Sequence, residues 1–361
     1  MTYDAVVVGS GPNGLAAATV LAQAGCSVLV LEGAKRMGGG ARTEELTLSG
    51  FRHDVCSSIH PLALASPIFR TLPLAQHGLE WVHAPAALAH PFENGHVALL
   101  ERDVAATGAT LGDDARAYAD LVRPLLRRWY ALLDDALAPL HFPHHPLLYA
   151  KFGLVGLRSA EGLMRRRFQG DPARAFFGAI ASHAFLPLSK GPSAAFGLML
   201  ALAGHAGGWP LARGGSQSII EALASHLATL GAKIETETPV RRLSELPPAR
   251  IVMLDVTPRQ LLVLAGERLP KRYAQALERY RYGPAAFKVD WALAGPIPWR
   301  SAACARASTV HLIGSSDDVI TAAGAAWRGE HEERPFVLLA QPTLFDATRA
   351  PVGKHVAWAY C

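Results

Sequence analysis

Three glycines at positions 9, 11 and 14, in the stretch GSGPNG, have the spacing G-x-G-x-x-G. The chemistry open to such a stretch is the binding of a dinucleotide pyrophosphate. Gly9 permits a tight turn, Gly11 lets the main chain approach phosphate, and Gly14 lets a helix pack closely on a strand. Pro12 and Asn13 complete the turn, at the start of a helix whose free N–H groups and partial positive charge attract phosphate. Glu32 stands 18 residues past Gly14, where its carboxylate can accept hydrogen bonds from both ribose hydroxyls and would repel a 2′-phosphate. These residues work only if a strand precedes them and a helix follows. Tyr3–Val8 reads as a buried strand, Leu15–Ala24 as a helix stopped by Gly25, and Ser27–Leu31 as a second strand. That is the strand–helix–strand unit of a Rossmann fold.

The next residues distinguish between dinucleotides. Glu32 is followed by GAKRM and then Gly38, Gly39, Gly40, Ala41, Arg42 and Thr43. This run resembles the E-x5-G-G-x3-[ST] segment of the flavoprotein group that includes glutathione reductase, flavin amine oxidases and phytoene desaturases. The resemblance implies FAD, with Gly38, Gly39 and Gly40 passing close to the cofactor, Arg42 neutralising phosphate and Thr43 ending the motif. A second stretch, GGWPLARGGSQSIIEALASHLATLGAKIETETPVRRL, is similar to the segment by which the group returns to its FAD domain. There Val240 is expected on a strand that meets the adenine. No second G-x-G-x-x-G and no cysteine pair occurs, which argues against a pyridine-nucleotide disulfide reductase. GFRHDVCSSIHPL, RLPKRYAQALERYRYGPAAFKVDWALAGPIPW and GKHVAWAYC extend the likeness to phytoene dehydrogenase-related oxidoreductases. The function implied is hydride transfer between an apolar organic substrate and flavin N5, by desaturation or saturation.

Such a transfer needs little beyond orientation and a dry pocket, so few side chains offer themselves for catalysis. Lys288, in FKVDWAL, resembles the lysine that flavin amine oxidases hold near the flavin. Strand alternation allows the opposite reading, with Phe287, Val289 and Trp291 inward and Lys288 and Asp290 in solvent. His60, like His53, flanks Asp54 in the loop after Arg42 and is a second candidate. His183 and His205 bracket an apolar segment, and Trp209 and Phe196 could line a cavity. HFPHHP, at 141–146, is expected to hold no metal, because its prolines deny it a helix face and no carboxylate follows.

Chain length, 361 residues, exceeds what one core accommodates. The expected class is α/β, with a Rossmann-type FAD-binding domain in two pieces and a mixed α+β substrate domain. Residues 1–75 and 206–262 are assigned to the FAD domain. Residues 76–205, mostly helical, and 263–361 are assigned to the substrate domain. The net charge of +5 comes mainly from arginine, without the basic stripe that nucleic acid requires. The longest apolar run, AAFGLMLALAG, is too short to span a bilayer. Four scattered cysteines suit a reducing compartment, and no secretory leader is apparent. A cytoplasmic protein is expected, with peripheral contact at a membrane surface left open. The apolar strand at the C-terminus reads as an abrupt stop, as though a flavin-covering segment were missing. That leaves a competing expectation: a non-catalytic flavoprotein relic that binds nucleotide or a protein partner.

Overall fold

The computed structural model describes residues 2–361. Two sheets organise the chain. The first is parallel and four-stranded, in the spatial order Ala249–Leu254, Tyr3–Val8, Val28–Leu31, Lys233–Glu235. Its strands come from opposite parts of the sequence, as a discontinuous dinucleotide domain requires. Tyr3–Val8 and Val28–Leu31 are short apolar runs because both faces of the sheet are covered. Ala5, Val7, Val28 and Val30 pack beneath Leu15 and Ala18 of helix Pro12–Gln23 and Ile220, Leu223 and Leu227 of helix Gln217–Thr229. Val6, Leu29 and Leu31 fill the other face with Tyr3 and Leu246.

The second sheet has six strands, in the order Lys288–Leu293, His355–Tyr360, Val337–Ala340, Ala307–Leu312, Ala86–Pro91, Val97–Glu101. Ala307–Leu312 runs parallel to Ala86–Pro91, and the other neighbours are antiparallel. Stretch 76–205 thus contributes a hairpin to this sheet as well as helices. Helices Ala115–Leu126, Asp171–Ala181 and Ser193–Ala206 share the largest apolar core, where Tyr118, Phe176, Phe177, Leu198 and Leu202 are fully buried. The apolar run at 194–204 is therefore a core helix. Among the described residues no helix is long and apolar enough to cross a membrane. The strand at the C-terminus is no bare end within the sheet, since it is paired on both sides.

Candidate functional site

The glycine turn forms as its spacing predicts. Gly9 has φ +104°, a conformation that a side chain disfavours. A Cβ on Gly14 would lie 2.2 Å from the Gly9 carbonyl oxygen, so helix and strand touch backbone to backbone. Gly11 is the N-cap of helix Pro12–Gln23 and offers no side-chain cap, while Pro12 occupies the first turn. The Gly14 N–H donates to Asp255 Oδ2 at 2.9 Å. Pro12 has no N–H, so those of Gly11 and Asn13 remain at the helix N-terminus, where an anion could accept from them. Asp255, a residue not singled out in the sequence, directly follows the neighbouring strand Ala249–Leu254. The acid closing RIVMLD was the available signal, because strand ends point at a helix N-terminus in this topology.

Glu32 directly follows strand Val28–Leu31, beside this turn. Its Oε2 accepts from Ser10 N at 3.0 Å and Ser10 Oγ at 2.6 Å, and Oε1 accepts from Ala34 N at 2.8 Å. Burial alone would raise the carboxyl pKa. These donors and the charge of Arg42 more than offset it and hold Glu32 below its ordinary value. A carboxylate has about four acceptor sites, so room remains for ribose. Replacing Glu32 with alanine removes charge-assisted bonds of about 1.5–3 kcal/mol. FAD affinity should fall about 10- to 100-fold, read by quenching of flavin fluorescence.

The glycine run lies against the turn. The Cβ position of Gly39 is 3.6 Å from Gly11 Cα, that of Gly40 is 3.2 Å from Cys56 Sγ, and Gly38 N donates to Ser10 Oγ at 3.3 Å. Arg42 donates to Gly39 O at 2.9 Å and pairs with Glu44 at 3.2 Å. It borders a cavity of about 490 Å³ that Lys35, Arg36 and Arg52 also line. Thr43 is turned inward. Its hydroxyl donates to Asp54 Oδ1 at 2.6 Å and accepts from Gln217 N at 3.1 Å. Val240 is not on a strand, since that strand is Lys233–Glu235. It lies in an irregular segment packed near Tyr3 and Leu29. This segment follows the end of the Glu32 strand, with Thr238 N donating to Glu32 O and Pro239 3.4 Å from the Gly33 Cβ position.

Lys288 faces inward, against the alternation that would send it to solvent. Its side chain is 18% exposed, whereas Phe287 is 71% and Trp291 39% exposed. The antiparallel register sets Lys288 opposite Tyr360 and Asp290 opposite Trp358, so the four share one face. Lys288 Nζ is 2.5 Å from Asp290 Oδ1 and 5.4 Å from the Trp358 ring centre. His53 Nδ1 lies 3.3 Å from the same oxygen without an aligned hydrogen bond. Trp358 and Tyr360 stack at 5.7 Å and 13°, and Phe185 stacks on Tyr360 at 6.4 Å.

His60 lies elsewhere in the network. Ser216 Oγ donates to Ser57 O at 2.6 Å, so its contact with His60 Nε2 at 2.9 Å makes the histidine the donor. Burial, with the Arg349 charge pushing the same way against the pull of Asp54, lowers His60 to about 4. His60 is therefore a neutral, hydrogen-bonded ring at pH 7. His183 Nε2 meets His311 Nε2 at 2.9 Å, and burial brings His183 to about 4 and His311 well below its ordinary value. His205 bonds the Tyr118 hydroxyl at 2.8 Å inside the core. Trp209 is buried with its Nε1 donating to Leu200 O, and Phe196 is exposed.

The sequence pattern described as "Flavin containing amine oxidoreductase" matches residues 13–262. The chain is 26% identical over 424 residues to a mouse protein named pyridine nucleotide-disulfide oxidoreductase domain-containing protein 2, covering 98% of this chain and 72% of that one. One polypeptide of the limonene dehydrogenase of Castellaniella defragrans is 28% identical over 136 residues, 38% of this chain and 24% of that protein. Among solved structures, an oxidoreductase from Methanosarcina mazei superposes with a TM-score of 0.67 at 17% identity, covering 100% of this chain and 78% of that one. Putrescine oxidase bound to putrescine gives 0.60 at 19%, covering 100% and 75%. These structural likenesses share the α/β fold. The helix N-terminus, the glycine contacts and Glu32 fit an FAD of this fold.

Proposed function

The chain belongs to the flavin-containing amine oxidoreductase family, and from that premise we propose that it moves hydride between an apolar organic substrate and FAD. FAD, when bound, supplies the hydride-accepting or hydride-donating centre at flavin N5. On this reading Gly9, Gly11, Pro12, Asn13 and Gly14 hold the pyrophosphate. Glu32 holds the ribose, Gly38–Gly40 pass along the cofactor, and Arg42 faces its charge. Val240 lies beside the adenine.

The observation that carries the substrate class is the make-up of the sheet face that bears Lys288. Trp358, Tyr360 and Phe185 stack there, and a second buried group joins His183 to Trp209 and His311, both imidazoles kept neutral by burial. The charge on this face is Lys288, paired with Asp290. An alkylammonium substrate needs an unpaired carboxylate or an open aromatic cage, and Asp290 is already engaged. An apolar alkene or terpene needs an aromatic wall, which Trp358, Tyr360 and Phe185 offer. The partial likeness to a limonene dehydrogenase polypeptide supports the same class.

Lys288 positions charge on this face and excludes water with Trp358. Lys288→Met should leave FAD affinity within twofold, because the glycine turn is untouched. The rate of flavin reduction or reoxidation should fall about tenfold or more, since a fixed cation in a dry site stabilises developing charge. Lys288→Arg should restore part of it. The substrate class is tested by anaerobic mixing of FAD-loaded protein with a cyclic terpene or with putrescine. Bleaching of the flavin bands by the terpene alone supports the proposal. Bleaching by the amine alone overturns it.

A further inference from the structure

HFPHHP lies on the helical side of the molecule, in the loop between helices Trp129–Ala136 and Pro146–Gly156. The carboxylate that the sequence lacks after this stretch is present before it, as Asp135. Its side chain is 1% exposed. Backbone N–H groups of His144 and His145 donate to its two oxygens at 2.8 and 2.9 Å, which fixes the carboxylate without any ligand.

Three side-chain atoms then converge. His141 Nε2 is 3.2 Å from Asp135 Oδ1, His144 Nδ1 is 3.1 Å from the same oxygen, and the two nitrogens are 3.2 Å apart. Ligands about 2.0 Å from a tetrahedral ion are about 3.3 Å from one another. The triangle therefore has the dimensions of one face of such a site. The other His141 nitrogen supports this. Nδ1 lies 2.8 Å from Pro139 O, and a carbonyl only accepts, so Nδ1 carries the proton. In the neutral ring Nε2 then presents a lone pair to a carboxylate oxygen. A ring N–H donating to a backbone carbonyl is the usual second-shell partner of a metal-bound histidine. One proton on His144 Nδ1 can serve one edge of the triangle well. A cation capping the triangle takes one lone pair from each corner once His144 Nδ1 gives up its proton. His145 Nδ1, buried without a hydrogen-bond partner, is 3.7 Å from Asp135 Oδ2.

We propose that Asp135, His141 and His144 bind a divalent transition-metal ion, with Zn²⁺ the best match to one carboxylate and two imidazoles. The site would be structural. It clips the end of one helix to the start of the next, beneath a loop whose Leu140 and Phe142 are exposed.

The test uses the full chain without a histidine tag, dialysed against a chelator and titrated with ZnCl2 by calorimetry. CoCl2, whose visible bands report tetrahedral coordination, is the second probe. His141→Ala and His144→Ala remove ligands whose side chains are 28% and 71% exposed, so the metal-free fold should survive, as a melting curve in chelator would show. His331→Ala is the control at an exposed histidine elsewhere. The expected result is one Zn²⁺ per chain, a tetrahedral Co²⁺ spectrum and a Zn²⁺-dependent rise in Tm. Each ligand variant should bind at least about tenfold more weakly, and the control should match wild type. The proposal fails if no stoichiometric binding occurs, or if both ligand variants bind as wild type does. The cluster is then a loop held by shared protons.

Discussion

Replacing Arg349 with methionine should cost about 3–5 kcal/mol of stability, the loss typical of breaking a buried ion pair from one side. Arg349 is 0% exposed. Its Nη2 is 2.5 Å from Asp54 Oδ2, and its Nε donates to Arg52 O at 3.2 Å. Asp54 also accepts from Thr43 Oγ1, Ser216 N and the Ser58 hydroxyl, which in turn accepts from Trp358 Nε1. This carboxylate therefore ties the loop after Gly38–Gly40 to helix Gln217–Thr229 and to the second sheet. Methionine would fill the volume and leave a buried charge uncompensated. Urea denaturation measures the loss, and a change below about 1 kcal/mol would show that the pair contributes little, as exposed pairs do.

The pH dependence of this effect has a defined sign. Burial would raise the Asp54 carboxyl, but the Arg349 charge and the hydroxyl donors hold it below its ordinary value. A depressed folded pKa gives stability that is present above the unfolded value, about 3.9 for aspartate. It is lost as pH falls through the folded value. The gap between wild type and Arg349→Met should thus be widest near neutrality and narrow as pH drops below about 4. Asp54→Asn in the Arg349→Met background should recover part of the loss at pH 7, because asparagine carries no charge to strand.

Gly14→Ala should abolish retention of FAD. The new Cβ would stand 2.2 Å from the Gly9 carbonyl oxygen, and both groups are main chain, so no side-chain rotation relieves the contact. Helix Pro12–Gln23 must move off its strand, taking its N-terminal N–H groups with it. A fall of at least 100-fold in affinity is expected, about 2.7 kcal/mol. Gly11→Ala makes a useful comparison. Its Cβ would meet Asp255 Oδ2 at 2.8 Å, the end of a side chain that can turn aside, so its effect should be smaller. Flavin absorbance after gel filtration measures both, and a melting curve separates lost binding from lost folding. Gly14→Ala protein that stays as yellow as wild type would place the pyrophosphate away from this helix.

Residue order was enough to locate the dinucleotide unit. Strand, turn, helix and acidic strand end fall within the first 32 residues, and each depends on local periodicity or on a glycine that its backbone requires. The class of cofactor was legible for the same reason, since the glycine run follows directly. The remaining features depend on long-range packing. Asp255 reaches Gly14 across 241 positions, and Arg349 reaches Asp54 across 295, and no local pattern encodes such a pairing. Alternation along FKVDWAL offers two faces without saying which one a neighbour covers. The strand His355–Tyr360 and the loop bearing His53 turned Lys288 inward. Likeness puts Val240 on a strand, but the chain leaves the sheet after Glu235, whose partner Leu31 is the last residue of its own strand. Asp135 lies only nine residues before His144, yet the loop must fold back before carboxylate and imidazoles meet. Short-range geometry is written in residue order, whereas the partners of a buried charge are set by what packs against it.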